Sequence, residues 1–209
     1  MNTLNKSLLL KKVFDLLISV ILIILFIPIF LTVSLLILIS IGRPVFFFQK
    51  RIGLHGKSFS IIKFRTMKID IDDQGRLLDD NLRLTRITRI IRSLSLDEIP
   101  ELFNIIKGEM SLVGPRPYLE EYREEYDEVQ FSRHDCLPGI TGLAQINGRN
   151  TISWEEKFAY DIKYKEDRSF TLDIYILFVT LIKIFTREGI NQDSNSTMDK
   201  FTNLKKRNE

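Results

Sequence analysis

Residues 16–41 read LLISVILIILFIPIFLTVSLLILISI, and the rest of the chain must be arranged around wherever this segment lies. Only Ser19, Pro28, Thr32, Ser34 and Ser40 break its apolar character, and it exceeds the roughly 20 residues that a lipid-crossing helix needs. It therefore belongs in lipid. Its length, with no small-residue cleavage site before RPVFFFQKRIG at 43–53, excludes a cleavable signal peptide. Lys6, Lys11 and Lys12 precede the segment, while Arg43, Lys50 and Arg51 follow it. Basic residues favour the cytoplasmic side, so a single crossing would strand one basic flank. A re-entrant hairpin bent at Pro28, which lacks an N–H, accommodates both flanks. A straight spanning helix with a mild proline kink is the alternative.

Outside this segment the composition is ordinary, and 209 residues allow one compact domain beside it. The net charge of +3 suits contact with phosphates or an anionic membrane surface and does not call for nucleic acid. One cysteine, Cys136, and two histidines, His55 and His134, exclude an internal disulfide and a Cys/His zinc cluster. Any metal must be held by carboxylates and substrate phosphates, which suits magnesium. The chain carries neither a Walker-type nor a dinucleotide-binding glycine fingerprint, and no serine-nucleophile elbow.

Beyond the lipid segment, VFFFQKRIG at 45–53 and KSFSIIKFRTM at 57–67 predict two short strands or extended segments, followed by an acidic loop, IDIDDQGRLLDD, at 69–80. NLRLTRITRIIRS at 81–93 places Arg83, Arg86, Arg89 and Arg92 at every third position, which predicts an amphipathic basic helix. Its arginine face meets lipid or substrate phosphates, or is simply solvated. The apolar stretch Leu172 to Phe185 contains Asp173 and Lys183 and is below spanning length, so it reads as a core or interfacial helix. Trp154 and Tyr160 before it suit headgroup depth or ordinary packing.

SLSLDEIPELFNIIKGEMSLVGPRP at 93–117 is the most informative soluble stretch. Pro100 suits a first helical residue, Leu102, Phe103, Ile105 and Ile106 supply a buried side, and Gly108 closes the helix. Asp97 and Glu98 then fall at a helix N-terminus, where the dipole favours negative charge or a bound phosphate. Ser95 and Glu98 also fit a plain capping box, and on pattern alone that structural explanation is the stronger. In GPRP, prolines on both sides of Arg116 can hold a guanidinium for bidentate phosphate contact, or merely end an element. RHDCLPGITGLAQINGRNTISW at 133–154 predicts a glycine-shaped loop, open to close ligand approach, that ends in a hairpin-like Asn147–Gly148 turn.

Gln49-Lys50-Arg51 with Gly53, KFRTM at 63–67, RSLSLDEIPELFN at 92–104, SLVGPRP at 111–117 and PGITGLAQINGRN at 138–150 together give the chain a recognisable pattern. It resembles the bacterial sugar transferase family of monotopic phosphoglycosyl transferases, particularly the small PglC-like members, from the membrane segment to about Gly189. The resemblance implies an α+β, mainly helical fold. A re-entrant membrane helix-break-helix (1–42) would join a small cytoplasmic catalytic domain (43–189) with amphipathic interfacial helices and short strands. A polar tail (190–209) would follow.

The implied reaction moves a sugar-1-phosphate from a UDP-sugar to undecaprenyl phosphate, with Mg²⁺, at the cytoplasmic face of the bacterial inner membrane. Asp97 would be nucleophile and metal ligand and Glu98 its catalytic partner. Lys63, Arg92 and Arg116 would contact phosphate, Asp161 would give polar support, and Gln145 and Arg149 would meet nucleotide or sugar. Membrane phospholipid and downstream glycosyltransferases are the implied partners. Small members often carry Ser-Pro at the membrane break, whereas this chain has Ile27-Pro28, so a hairpin here rests on Pro28 and the basic flanks. A membrane-anchored scaffold without catalysis, or a hydrolase that splits nucleotide sugars, are the competing functions.

Overall fold

The computed structural model describes residues 3–72, 74–76, 78–148, 151–186 and 201. Helix α1 (Thr3–Ile41) is 39 residues long, or about 58 Å at about 1.5 Å per residue. By length and composition, its Leu9–Ile41 part is sufficient to cross a bilayer. The expected interruption at Pro28 is not formed: α1 continues through the proline as one helix. Pro28 removes the N–H that would serve Ile24 O, while Thr32 Oγ1 donates to Pro28 O at 2.8 Å and Ser34 Oγ to Phe30 O at 2.7 Å as ordinary back-bonds one turn earlier, so the helix tolerates the loss of a single bond.

The helix lies along the folded body. Phe14, Ile18, Leu22 and Phe26 pack against a core that includes Ile61, Leu102, Ile105 and Leu112. Further on, Val33 and Ile37 close over Phe64 and Ile91. The outer face, with Leu17, Ile21, Leu25, Leu31 and Leu35, is exposed.

Strands β1 (Phe46–Ile52) and β2 (Ser58–Phe64) form the expected extended pair, an antiparallel hairpin in register from Phe46↔Phe64 to Ile52↔Ser58. The basic run divides into α2 (Asp80–Arg83) and α3 (Arg86–Ser93), because Leu84 bridges to Met67 and Thr85 caps a new helix. Thr88 N–H donates to Thr85 Oγ1 at 3.2 Å, and Thr85 N–H donates to Thr88 Oγ1 at 3.0 Å. Helix α4 (Glu101–Ile106) starts after Pro100, which caps it rather than opening its first turn, and Gly108 at φ 76° ends it as expected. Only half of its expected apolar face is buried: Leu102 and Ile105 enter the core, while Phe103 and Ile106 remain exposed.

Strand β3 (Ser111–Val113) pairs in parallel with β4 (Gly139–Thr141) across a crossover that includes α5 (Glu128–Phe131). Asn147–Gly148 turns no hairpin, since Asn147 ends α6 (Leu143–Asn147). Helices α7 (Trp154–Asp167) and α8 (Phe170–Thr186) complete the body. Trp154 is buried in an aromatic cluster with Tyr118, Tyr122, Phe158 and Phe201, and Tyr160 packs on the main core, so both are packing aromatics. Helix α8 buries Asp173 and Ile176 and exposes Tyr175, Phe178 and Leu181, which is an interfacial pattern. The architecture is the expected mainly helical α+β.

Candidate active site

The acidic pair does not start a helix. Asp97 and Glu98 occupy a 3-10 turn, Leu96–Glu98, between α3 and α4. Ser95 caps nothing: it sits in the left-handed region at φ 54°, and its side chain makes no capping bond. The turn is fixed by its apolar flanks instead, because Leu96 and Ile99 pack with Val33, Ile37, Phe64 and Ile91. This packing presents the two carboxylates differently.

Glu98 is clamped. Its Oε1 accepts from Lys63 Nζ at 2.7 Å and from Arg116 Nη2 at 2.7 Å. Burial alone would raise its pKa, but Arg116 and Lys63 outweigh burial and hold the carboxyl well below the usual range. Asp97, by contrast, makes no ion pair among the described residues. Burial and then the charge of Glu98 push its pKa up to about 6, against the opposing pull of Lys63 and Arg92. One carboxylate is thus a fixed counter-ion, and the other has no ion-pair partner among the described residues.

Lys63, on β2, is also 3.0 Å from Glu101 Oε1. The structure therefore ties this expected phosphate contact to two carboxylates. Burial works against its charge, yet Glu98 and Glu101 keep its pKa above the ordinary value. Arg116 is half-exposed, at 43 %, so the guanidinium can bond Glu98 and still face solvent. Arg92 lies on the exposed side of α3, within electrostatic range of Asp97. Asp161 sits away from the acidic pair. Its Oδ2 receives Arg133 Nε at 2.9 Å and Nη2 at 2.6 Å, and Arg133 Nη2 also donates to Arg116 O at 2.6 Å. Gln145 is on α6, and neither polar atom of its buried amide has a partner among the described residues. Arg149 lies outside the described residues.

Three further groups belong to this site. Glu101, 2 % exposed, is pushed up to about 7, first by burial. Arg51 Nη1 donates to Pro117 O at 3.2 Å, and its pKa is lowered to about 10 by burial and then by Arg116. Lys157 is buried with its Nζ 5.1 Å from the Trp154 ring, and burial followed by Arg116 lowers its pKa to about 8. A signal for Glu101 was present in its position three residues after Glu98. Arg51 was marked only by its place in the Gln49-Lys50-Arg51 motif, and Lys157 had no comparable mark. Arg51 and Lys157 lie within electrostatic range of Arg116, and with Arg116 and Lys63 they make a cationic cradle suited to phosphate near the Asp97 carboxylate.

The same region meets an apolar surface. A groove of about 460 Å³ between α1 and α3 is lined by Pro28, Thr32, Leu36, Ile87, Ile90 and Leu96, and Leu96 directly precedes Asp97.

A buried acid–base cluster thus lies beside a helix long and apolar enough to cross a membrane. Residues 6–187 match the bacterial sugar transferase family model, and the chain belongs to that family. It is 50% identical to the sugar transferase EpsL of Bacillus subtilis, over 92% of this chain and 96% of that protein. It is 38% identical to the exopolysaccharide production protein ExoY of Rhizobium meliloti, over 86% and 87% of the two chains. It is also 36% identical to the UDP-glucose:undecaprenyl-phosphate glucose-1-phosphate transferase of Klebsiella pneumoniae, over 86% of this chain but 41% of that longer protein.

Proposed function

We propose that this chain transfers a sugar-1-phosphate from a UDP-sugar to undecaprenyl phosphate in two steps through Asp97. The observation that carries this reading is the division of labour in the acidic pair: Glu98 is locked by Lys63 and Arg116, while Asp97 has no ion-pair partner among the described residues. In the first step an Asp97 carboxylate oxygen attacks the sugar-linked phosphorus, and the bond to the bridging oxygen breaks, so that UMP leaves with the electron pair. In the second step an oxygen of undecaprenyl phosphate attacks the same phosphorus and Asp97 departs as carboxylate. The product is a polyprenyl-diphosphate-linked sugar. The cationic cradle offsets the charge of the diphosphate, and the unpartnered amide of Gln145 suits a polar group of the donor.

The donor set fits magnesium. Among the described residues, no three carboxylate, histidine or cysteine side chains converge to hold a metal. Asp97 as single protein ligand, with phosphate and water oxygens completing the shell, matches the habits of this ion. When bound, Mg²⁺ would neutralise phosphate charge facing the carboxylate.

The apolar groove next to Leu96 suits the acceptor's isoprenoid tail, and the exposed faces of α1 and α8 suit phospholipid. Both basic flanks of α1 favour the cytoplasmic side, and both parts of the helix, at Lys11–Asp15 and at Val33–Ile37, touch the same body. We therefore read α1 as an unbroken helix that lies against the inner membrane with both ends on the cytoplasmic side. The exopolysaccharide production named for the relative ExoY favours polysaccharide assembly, with downstream glycosyltransferases extending the lipid-linked sugar.

The test is UMP release from a panel of UDP-sugars that includes UDP-glucose and UDP-N-acetylgalactosamine, with undecaprenyl phosphate and Mg²⁺. Wild type should release UMP and form lipid-linked product, and Asp97→Asn should do neither. Turnover in Asp97→Asn removes the covalent route. UMP without lipid product indicates a hydrolase, and silence across the panel indicates a scaffold.

A further inference from the structure

Three side chains gather on one backbone oxygen, Val113 O: Lys11 Nζ at 3.1 Å, Tyr164 OH at 3.0 Å and Ser111 Oγ at 2.9 Å. Each hydroxyl has a single proton, and each has a shorter carboxylate contact. Tyr164 OH is 2.6 Å from Asp173 Oδ1, and Ser111 Oγ is 2.7 Å from Asp15 Oδ2. The ammonium of Lys11 has three protons. It alone can serve Val113 O without giving up a better partner, because it also pairs with Asp173 Oδ2 at 2.7 Å. Asp15, Ser111, Tyr164 and Asp173 are all buried, so this is a closed polar cluster joining α1, β3, α7 and α8.

Val113 leads directly into the turn that carries Arg116. Gly114 N–H donates to Thr141 O at 2.9 Å, and any Cβ on Gly114 would collide with Leu137 O. On the far side, Arg133 holds the carbonyl of Arg116 itself. The turn is thus gripped at both ends by an ion pair, buried at Arg133–Asp161 and part-buried at Lys11–Asp173, and the upstream pair starts on the apolar helix.

We propose that Lys11 and Asp173 are positioning residues for sugar-phosphate transfer: through Val113 O, α1 holds the Gly114–Pro117 turn where Arg116 reaches Glu98. The apolar helix is then part of the active-site scaffold as well as an anchor. This inference rests on the function proposed above.

The experiment is a double-mutant cycle on single-turnover UMP release, in which slow variants remain measurable. Lys11→Met/Asp173→Asn removes both charges of the pair together, while Asp15, 3.8 Å from Lys11 Nζ, loses its cation and keeps the hydrogen bond from Ser111 Oγ. It is measured with Arg116 present and in an Arg116→Lys background, alongside flotation on phosphatidylethanolamine and phosphatidylglycerol vesicles. The expected result is a fall of about tenfold or more with Arg116, about twofold or less with Arg116→Lys, and unchanged flotation. An equal fall in both backgrounds, no fall, or loss of flotation overturns the inference. If the double variant does not accumulate, Lys11→Arg keeps the charge, moves the donor and is put through the same cycle. No UMP from wild type with any UDP-sugar overturns the underlying function instead, before the cycle is reached.

Discussion

Asp97 and Glu98 are neighbours with opposite electrostatic fates. Asp97 attacks as carboxylate, and since Mg²⁺ bound beside it would pull its pKa below the metal-free value of about 6, the rate of UMP release should fall on an acid limb lying below about pH 6, as a pH–rate profile would show. Lys63 lowers the pKa of Asp97 and bonds Glu98. Lys63→Met should therefore move that acid limb to higher pH and cost about tenfold or more in rate. An unmoved limb would disconnect Lys63 from the nucleophile. The motif resemblance made Asp97, Glu98, Lys63 and Arg116 legible before any fold was known. Glu101 was not, because an acidic residue in a first turn has ordinary reasons to be there, and only its burial against Lys63 shows otherwise.

At the level of elements, the sequence pattern misplaced the helix starts around the site. Ser95 looked like a cap and is not one, while Thr85, inside an apparently continuous basic helix, caps α3. Two stability changes follow. Thr85→Ala should cost about 1 kcal/mol by removing a working cap, whereas Ser95→Gly should be neutral or stabilising because glycine adopts positive φ without strain. Thermal inactivation midpoints in one detergent would separate them, and a larger loss at Ser95 would refute the turn geometry. Periodicity could not reveal the break at Leu84, since its cause is a bridge to Met67 seventeen positions earlier in the chain.

For the molecule as a whole, the placement of α1 is testable. In a Cys136→Ala chain, Lys12→Cys and Lys57→Cys should both be labelled from the cytoplasmic side of inverted vesicles, whereas a crossing helix would protect one of them. Stability should also depend on pH through His134, which is buried with its Nδ1 at Phe131 O. Burial, followed by the charge of Arg133, lowers its pKa to about 4, against about 6.5 in an unfolded chain. Protons then bind the unfolded state preferentially below about 6.5, so the stabilisation is complete above that pH and is lost as pH falls towards 4. Thermal inactivation measured across this range should flatten in His134→Gln.

Local chemistry was enough to read the apolar helix, two extended segments at β1 and β2 and the helix stop at Gly108, while Asp97, Glu98, Lys63 and Arg116 were singled out by the family resemblance. Hydrophobic runs, positive-φ glycines and ordered motifs act over short stretches and leave their mark there. The separation of roles in the acidic pair, the addition of Glu101, Arg51 and Lys157, and the ion pairs that grip the Arg116 turn required the folded chain. Those depend on charges brought together from distant positions, such as Lys11 with Asp173 or Lys63 with Glu98, and on burial that strengthens each pairing once water is excluded.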